Sequence, residues 1–514
     1  MYLPRWATHF HPQGVAHWAK EVDNRKSDKT RKDKCRHTAP YNERLPNRAI
    51  RQFFAALFGI TLALRLCHSH LLWPDEDYHM AAAQQLLRGK MLYRDLWYDK
   101  PPLSALTYAL IGAPTGWPLR LFDSLWILCI CAVAFRFVRE MSGEIRGLIA
   151  AGLIAFFLNF DLPGGVIPIA PDFFMILPHL LAIWCAWNAK PFAAGGWCGI
   201  AFLFNPKGVF VLAACAILMW RSMPMLLLGF LIPNAVAIAT LFAQGAAGPY
   251  LEQVWKWGLL YAKTPPAASS IGDGLRRTLD WFGFHAALVL GCIAYWWNTR
   301  TRAAKFLAIW AVVSLIAVIS GARFSNRYFL QLLPVLAIAA ACALRPRIVV
   351  MLAAAALLLP LARFGPRYVI LARDFITSRE TNWSDAVLDR DSRHVSVWLE
   401  GHKHPGDTLV VWGYRPDVFA YTRMPMAGLL WDSQPLTGVP ADRHLTESAS
   451  LMPEWAARNR RELTTSRPTF IVDGLSRLNP KLAMSQFPDL RAWLSGYEVV
   501  DRTDLTLIYR RPIH

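Results

Sequence analysis

Three consecutive acidic residues, Asp75, Glu76 and Asp77, follow directly on the first long apolar stretch of the sequence. A carboxylate there can take a proton from a hydroxyl or hold a cation. Acidic side chains beside a membrane segment are costly unless they meet water, cations or a polar ligand. Asp75 is also well placed to cap a helix over residues 77–88, which Gly89 would close. The cluster therefore has two interpretations: a functional site, or a helix cap with a solvated acidic rim.

Basic side chains lie near the same predicted face of the chain. Lys100 precedes a Pro-Pro pair, and Lys207 lies between two short apolar stretches. Arg65 lies near the end of the first long apolar stretch, and Arg323 and Arg327 flank a late one. Fixed cations of this kind stabilise negative charge that develops on a departing group. Each also has a plainer interpretation: Lys100 as a loop lysine, and the arginines as side chains that reach lipid headgroups.

Asp172 and three histidines complete the candidate residues. Asp172 follows Pro171, so it could be a helix cap or a ligand-binding carboxylate. His68, His70 and His79 lie near the acidic cluster, but their loose spacing on loops does not specify a metal site. We therefore predict no metal ligands.

These residues belong to a chain of 514 residues, of which 54% are hydrophobic and 18% are charged. Soluble domains average about 25% charged residues, and the composition excludes disordered, collagen-like and disulfide-scaffold proteins. Long apolar runs fill residues 52–362, which is typical of a polytopic membrane protein. The net charge of +19 fits the Lys and Arg of cytoplasmic loops better than a nucleic-acid partner, which we do not expect.

A membrane helix needs about 20 largely apolar residues. About eleven stretches qualify as candidate spans, and the two around residue 206 are short enough to be half-spans. The predicted spans are 52–72, 119–138, 147–160, 173–189, 193–204, 208–220, 225–243, 281–297, 303–320, 327–344 and 348–362.

The basic residues predict the orientation of the spans, because Lys and Arg collect in cytoplasmic loops. They fall in alternate loops, and the opposite loops at 73–118, 161–172 and 244–280 are longer. We expect these loops, together with the polar sequence from residue 363, on the extracytoplasmic side of the cell (inner) membrane.

Three regions follow from this pattern. The charges of residues 1–50 predict a basic, disordered cytoplasmic tail without signal-peptide features. The apolar runs of residues 51–362 predict a transmembrane domain of α-helices. Residues 363–514 predict a small soluble α/β domain. Its predicted strands are Asp407–Trp412, Pro468–Asp473, Glu498–Arg502 and Leu505–Arg510, the last two forming a hairpin.

The motifs on the predicted outer side occur in an order that resembles a known family. They are Arg65, Asp75-Glu76, a short helix with its Gly, Tyr93-Arg94-Asp95, Lys100-Pro-Pro-Leu103, Ala170-Pro-Asp172-Phe, Asn205-Pro-Lys207-Gly208 and Arg327-Tyr-Phe-Leu-Gln-Leu-Leu-Pro334. This set resembles the bacterial branch of the dolichyl-phosphate-mannose–protein mannosyltransferase family, to which the lipid A aminoarabinose transferase belongs. The resemblance covers about residues 52–345 with gaps. It departs from the family at Lys207, where Pro-Lys-Gly stands for the usual Thr-Lys-Gly.

The resemblance implies a GT-C membrane glycosyltransferase, which transfers a hexose or pentose from a polyprenyl-phosphate donor, with inversion, to an acceptor hydroxyl on a lipid, glycan or protein. It implies that Asp75 is the base for that hydroxyl, while Glu76 more plausibly positions sugar or a cation. Asp172 could orient sugar or acceptor, or help hold a divalent ion, although the sequence requires no cofactor. The predicted substrate-binding residues are Glu76, Lys100, Asp172, Arg323, Arg327, Arg65 and Lys207.

Two other classes of function compete with this one. A transporter or flippase of lipid-linked glycans would place charges along a path through the bilayer and would show paired repeats. The candidate charges instead lie at one face, and the sequence shows no repeat. A non-catalytic assembly or sensor protein would leave the acidic cluster beside the first span without a purpose.

Overall fold

The computed structural model describes residues 45–162, 169–263, 271–320, 323–343, 347–380, 386–440, 442 and 449–512. Most of the predicted tail at 1–50 lies outside these residues. The first helix already begins at Asn47.

Up to residue 376, the regular elements of the described residues are helices, as expected where the backbone must satisfy its own hydrogen bonds in a bilayer. The helices are α1 (Asn47–Leu66), α2 (Glu76–Leu87), α3 (Leu103–Leu110), α4 (Trp117–Ser142), α5 (Glu144–Asn159), α6 (Pro171–Phe174), α7 (Ile176–Trp187), α8 (Pro191–Phe204), α9 (Gly208–Leu218), α10 (Met223–Ala243), α11 (Ala247–Tyr250), α12 (Trp257–Lys263), α13 (Ile271–Phe284), α14 (Ala286–Asn298), α15 (Arg302–Ile319), α16 (Leu333–Cys342), α17 (Arg347–Ala356) and α18 (Leu358–Ile376). Turns of 3₁₀-helix at Trp220–Ser222 and Asn326–Gln331, and of π-helix at Leu251–Lys256, lie between them.

Within the described residues, five stretches are long and apolar enough to cross a membrane. They are α1, α4, Trp220–Ala243, α15 and Val350–Ile376. The bent pair of α13 and α14 gives a sixth if it is one span, and shorter apolar helices correspond to further predicted spans. The protein is thus a multi-pass helical membrane protein, although fewer helices span a bilayer by length alone than the sequence predicts.

Two predicted spans are wrong in detail. The span at 281–297 is broken at His285, where the axes of α13 and α14 meet at 86°. The last span does not end at 362, because α18 continues to Ile376. The predicted boundary between membrane and soluble regions therefore falls inside a helix.

Close packing of α8 against α10 depends on glycine. A Cβ on Gly195 would clash with the backbone carbonyl of Leu226, and one on Gly229 would clash with that of Phe192. Small residues at such contacts let membrane helices approach backbone to backbone. This pair forms one wall of the cavity described below.

The C-terminal region, defined here as the described residues from 386 onward, carries a four-stranded sheet flanked by helices. Its elements are α19 (Val387–His402), β1 (Leu409–Trp412), α20 (Asp417–Thr422), α21 (Gln434–Thr437), α22 (Pro453–Thr465), β2 (Phe470–Asp473), α23 (Pro488–Leu494), β3 (Glu498–Arg502) and β4 (Leu507–Arg510). The strand order is β1-β2-β4-β3, with β1 and β2 parallel and the other neighbours antiparallel. All four strands lie where the sequence predicts them, including the β3–β4 hairpin.

The C-terminal region packs against the first loop, residues 67–116, which contains α2 and α3. Both contribute to one hydrophobic core that includes Tyr78, Trp97, Trp412 and Trp431. The backbone N–H of Trp97 donates to the carbonyl of Leu429 at 2.9 Å, and the indole of Trp431 donates to the carbonyl of Trp97 at 2.7 Å. The sheet region thus covers the loop that carries the acidic cluster.

Candidate active site

Asp75 lies at the residue before α2, but its side chain does not cap that helix. Its backbone adopts the left-handed conformation, with φ of 76°, which is uncommon for residues other than glycine. The carboxylate Oδ2 instead accepts a hydrogen bond from Arg327 in an ion pair, and the Tyr414 hydroxyl oxygen lies 3.5 Å from Oδ1. The helix-cap interpretation of Asp75 is therefore wrong. The predicted helix itself is present as α2, and Gly89 follows it with φ of 87°.

The charge on Asp75 is controlled by its neighbours. Burial pushes the pKa of Asp75 upward, but the charges of Arg327 and Lys100 outweigh burial and hold that pKa below its usual value. The carboxylate is therefore ionised at neutral pH. Because 29% of the Asp75 side chain is exposed, it is an accessible anion that can accept a proton from a substrate.

Lys100 lies within the first loop, just before α3. Its ammonium group forms an ion pair with Asp99 at 2.8 Å, and its carbonyl accepts a hydrogen bond from the Tyr93 hydroxyl at 2.8 Å. Burial lowers the pKa of Lys100, but the charge of Asp99 outweighs burial and raises it above its usual value. Lys100 thus supplies a permanent positive charge whose field reaches Asp75.

Asp172 in the short helix α6 meets Lys207, which lies in the turn between α8 and α9. The amide of Asn205 donates to Oδ1 of Asp172 at 3.0 Å, and the ammonium nitrogen of Lys207 lies 3.9 Å from the same oxygen. That nitrogen also lies 2.9 Å from the ring centre of Tyr328. Asp172 makes no capping hydrogen bond to α6, so the helix-cap interpretation is wrong here too.

Arg327 connects the group of Asp75 and Lys100 with the group of Asp172 and Lys207, and these five residues are called the charged cluster below. It pairs with Asp75, and the negative charges of both Asp75 and Asp172 stabilise its guanidinium. Arg323 lies four residues earlier, but it binds Tyr261: Nη2 donates to the Tyr261 carbonyl at 2.7 Å, and the guanidinium lies 3.6 Å from the ring centre. The structure therefore shows Arg323 bound to Tyr261.

Glu76 does not belong to the charged cluster. It is fully buried, and its two oxygens accept hydrogen bonds from the Arg120 guanidinium at 2.6 and 3.1 Å. Arg120 also donates to the backbone carbonyls of His68 and Leu71, so the pair fixes the turn that leads into α2. Both Glu76 oxygens are occupied inside the protein, and the expectation that Glu76 contacts substrate stays a prediction.

Arg65 does not belong to the charged cluster either. Its guanidinium is buried, with an ion pair to Asp123 at 3.1 Å and a hydrogen bond to the Leu158 carbonyl at 2.6 Å. This buried position excludes the snorkelling alternative, while the phosphate contact of Arg65 stays a prediction. Arg65 instead joins α1 to α4 and α5 inside the helical core.

Sequence reasoning missed Arg120, Tyr414 and the tyrosines around Arg323 and Lys207. Arg120 had a signal, because a charge at the start of the apolar stretch 119–138 must have a partner or a function. Tyr414 had none, because it lies in the region for which the sequence matches no motif.

The histidines near the acidic cluster have other partners. His79 Nδ1 lies 2.6 Å from the Tyr98 hydroxyl, and burial lowers the pKa of His79 to about 3, so it is neutral. His68 packs edge-on against Trp73, and the ring of His70 lies 5.4 Å from that of Phe375 at an interplanar angle of 40°. Among the residues that the structure describes, no group of three or more His, Cys, Asp or Glu side chains is arranged to hold a metal ion.

An apolar cavity of about 470 Å³ lies between the first loop with its helix α3 and the membrane helices α8 and α10. Its walls include Pro102, Leu103, Leu203, Pro233 and Leu241, and Pro102 follows Lys100 by two residues. A second apolar cavity of about 210 Å³ shares several of these side chains. The structure therefore contains a largely apolar cavity near Lys100 in the sequence, lined by the first loop and two membrane helices.

Comparison with known proteins supports the fold. No protein-family model matches the chain. No curated protein matches its sequence. The structure of ArnT from Cupriavidus metallidurans bound to undecaprenyl phosphate is similar with a TM-score of 0.58 and 16% identity, over 90% of this chain and 98% of that one. The apo state of the same protein gives a TM-score of 0.56 and 15% identity over the same shares.

The oligosaccharyltransferase AglB from Archaeoglobus fulgidus, in complex with an inhibitory peptide and a dolichol-phosphate, also matches. Its TM-score is 0.46 at 13% identity, over 90% of this chain and 74% of that one. ArnT is the lipid A aminoarabinose transferase and has the GT-C fold. The likeness to ArnT shows that this chain has the same fold, which agrees with the resemblance seen in the sequence.

Proposed function

We propose that this protein is a membrane glycosyltransferase that moves a sugar from a polyprenyl-phosphate donor to an acceptor hydroxyl on the extracytoplasmic side of the inner membrane. The observation that carries the proposal is the Asp75 carboxylate, ionised and partly exposed, with Arg327 and Lys100 beside it. This combination provides a base and fixed cations in one place.

The base has a defined task in this reaction. An acceptor hydroxyl has a pKa far above 7 and is a weak nucleophile until a positioned group takes its proton. In our proposal Asp75 takes that proton while the acceptor oxygen bonds to the anomeric carbon of the sugar. The bond from that carbon to the phosphate oxygen breaks, and its electron pair leaves with polyprenyl phosphate.

The cations act on the leaving group. Negative charge grows on the phosphate oxygen as the bond breaks, and preorganised positive groups in a site of low polarity stabilise such charge. Arg327 and Lys100 are the proposed phosphate ligands, with Lys207 and Arg323 as further positive groups at the edge of the cluster. Because phosphate is already a good leaving group, no strong general acid is needed.

A single displacement of this kind inverts the anomeric configuration. Retention would require a carboxylate to attack the sugar and form a covalent intermediate. Asp172 is held by Asn205 and lies close to Lys207, which suits a role in orienting sugar or acceptor. We therefore propose inverting transfer of a hexose or pentose.

The apolar cavity supports a lipid-linked donor. Pro102, two residues after the proposed phosphate ligand Lys100, lines this cavity, and most of its other lining side chains are hydrophobic. An isoprenoid chain whose phosphate is bound at Lys100 could enter this cavity directly. The similar fold of ArnT, whose structure contains bound undecaprenyl phosphate, agrees with this class of donor.

The test is replacement of Asp75 by Asn, which keeps the shape of the side chain but cannot accept the proton. Turnover of purified protein with a polyprenyl-phosphate sugar should fall by at least about 10²–10⁴-fold, the usual contribution of general-base catalysis. Stability should change little through helix capping, because the side chain does not cap α2. Cleavage of the sugar–phosphate bond is the measured quantity.

Asp95→Asn is the matched control. Asp95 lies on the same loop and pairs with Arg94, so its neutralisation should leave turnover near the parental value. Full transfer activity in Asp75→Asn would contradict the proposed base. Movement of intact glycolipid across vesicles, without cleavage of the sugar–phosphate bond, would point to a flippase instead.

A further inference from the structure

We propose that Tyr414, which the C-terminal region delivers to the site, is a positioning residue that orients the Asp75 carboxylate for proton transfer. This inference rests on the proposed function of Asp75 as the base. It gives the C-terminal region, where the sequence shows no motif, a direct part in the reaction.

The Tyr414 side chain lies between the base and an aromatic stack. Its hydroxyl oxygen is 3.5 Å from Oδ1 of Asp75, at the outer limit of hydrogen-bond distance. Its ring stacks on that of Tyr78 in α2, with 5.7 Å between centroids and 17° between planes. Tyr78 in turn stacks on Trp431, with centroids 5.0 Å apart. Catalytic hydrogen bonds are often long before substrate binds and then tighten.

The backbone around Tyr414 is fixed on both sides. Gly413 has φ of 122° and approaches Gly474 so closely that an added Cβ would lie 3.1 Å from its carbonyl carbon. Arg415 is buried, and its guanidinium binds Asp391 at 2.9 Å and the Ser392 hydroxyl. The turn after β1 therefore presents Tyr414 to the first loop in one position.

The two contacts of Asp75 divide its oxygens. Arg327 binds Oδ2, and the Tyr414 hydroxyl faces Oδ1. Because each carboxylate oxygen has two lone pairs, both contacts can fix the plane of the carboxylate and still leave a lone pair for the acceptor proton. Burial and the charge of Asp75 raise the pKa of Tyr414, so its hydroxyl keeps its own proton and acts as a donor.

The experiment compares Tyr414→Phe with Tyr509→Phe in the full-length protein. Tyr509 is half-buried on β4 and lies in the same sheet region, so the control removes a tyrosine hydroxyl away from the site. We expect Tyr414→Phe to lower kcat by about tenfold, the order of one hydrogen bond that acts in the transition state. The KM for the polyprenyl-phosphate sugar should stay within about twofold, since the hydroxyl does not hold the phosphate.

A double-mutant cycle separates positioning from general structural damage. If Tyr414 acts through the Asp75 carboxylate, Tyr414→Phe should cause no further loss in an Asp75→Asn background. Independent, multiplicative losses would overturn the inference, as would an unchanged kcat in Tyr414→Phe or a larger drop in Tm than in Tyr509→Phe.

Failure of the proposed function has a different signature, namely full activity in Asp75→Asn alone. If Tyr414→Phe does not fold, 3-fluorotyrosine at position 414 serves as the second variant, because it keeps the ring and makes the hydroxyl more acidic. A changed kcat then supports the inference, and an unchanged kcat overturns it.

Discussion

The protonation state of Asp75 is set by a single arginine more than by any other neighbour. Burial alone would raise the pKa of Asp75, and Arg327 reverses that shift by its charge and by its hydrogen bond. The base is therefore kept ionised by the same residue that we propose to bind the phosphate. Coupling of this kind makes the pH dependence of the reaction sensitive to Arg327.

Arg327→Met should move the acidic limb of the pH profile of kcat/KM to higher pH. Without the arginine charge, burial raises the pKa of Asp75, and a carboxylate with a higher pKa stays protonated, and inactive as a base, up to a higher pH. The measurement is kcat/KM from acidic to neutral pH. Arg327→Lys keeps a positive charge and should retain a limb close to the parental one; identical limbs in all three proteins would contradict this account.

Glu76 lies next to Asp75 in the sequence but contributes to stability. Glu76→Gln leaves the Arg120 charge buried without its partner, which typically costs about 3–5 kcal/mol of unfolding free energy. Tm should therefore fall, while the KM for donor in the protein that remains folded should be near the parental value. Adding Arg120→Met should recover part of the lost stability; a donor KM that rises sharply while Tm is unchanged would place Glu76 back in the binding site.

The divergence of Asp75 and Glu76 shows where sequence reasoning ends at this scale. Asp75 precedes α2 in the left-handed conformation, whereas Glu76 is the first residue of the helix, so the two side chains of this acidic pair have different partners, Arg327 and Arg120. The sequence identifies Asp75, Lys100 and Arg327 by charge and side of the membrane. It does not reveal Tyr414, because that contact joins residues 339 positions apart.

At the scale of elements, hydropathy predicts the strands and most helices but not their breaks. The span predicted at 281–297 is bent at His285. Hydropathy does not show this bend, because apolar residues lie on both sides of it and averaging over a window hides it. Similarly, the continuation of α18 past 362 is hidden by its mixed polar composition, with Arg363, Arg367 and Arg373 along it. Tertiary contacts decide both features.

The contact between α8 and α10 gives a sharp test at this scale. Gly195→Ala should destabilise the protein by about 1–3 kcal/mol, because the new methyl would overlap the Leu226 backbone carbonyl and force the helices apart. Gly196→Ala is the matched control, since its Cβ would lie 3.9 Å from the nearest backbone atom. Tm in detergent is the measurement, and equal effects of the two substitutions would show that the helices are not packed in this way.

At the scale of the whole molecule, the C-terminal region and the membrane helices are not independent parts. Residues from Asn47 to the C-terminus form one compact unit, and the core around Trp97 and Trp431 is shared between the first loop and the sheet region. The composition of the sequence predicts a separate soluble domain after 362, since a polar stretch follows an apolar one. It does not show that this stretch packs onto the acidic loop.

Because the C-terminal region covers the site, its side of the membrane is also the side of the reaction. The alternating Lys and Arg loops predict the extracytoplasmic side. Ser495 is exposed at the end of α23, and the sequence after residue 363 contains no cysteine. In intact cells, a membrane-impermeant maleimide should therefore label Ser495→Cys at position 495, while the native Cys35 of the basic N-terminal segment should react only after permeabilisation. Labelling of Cys35 but not of position 495 in intact cells would invert the topology and place Asp75 on the cytoplasmic side, where an extracytoplasmic acceptor could not reach it.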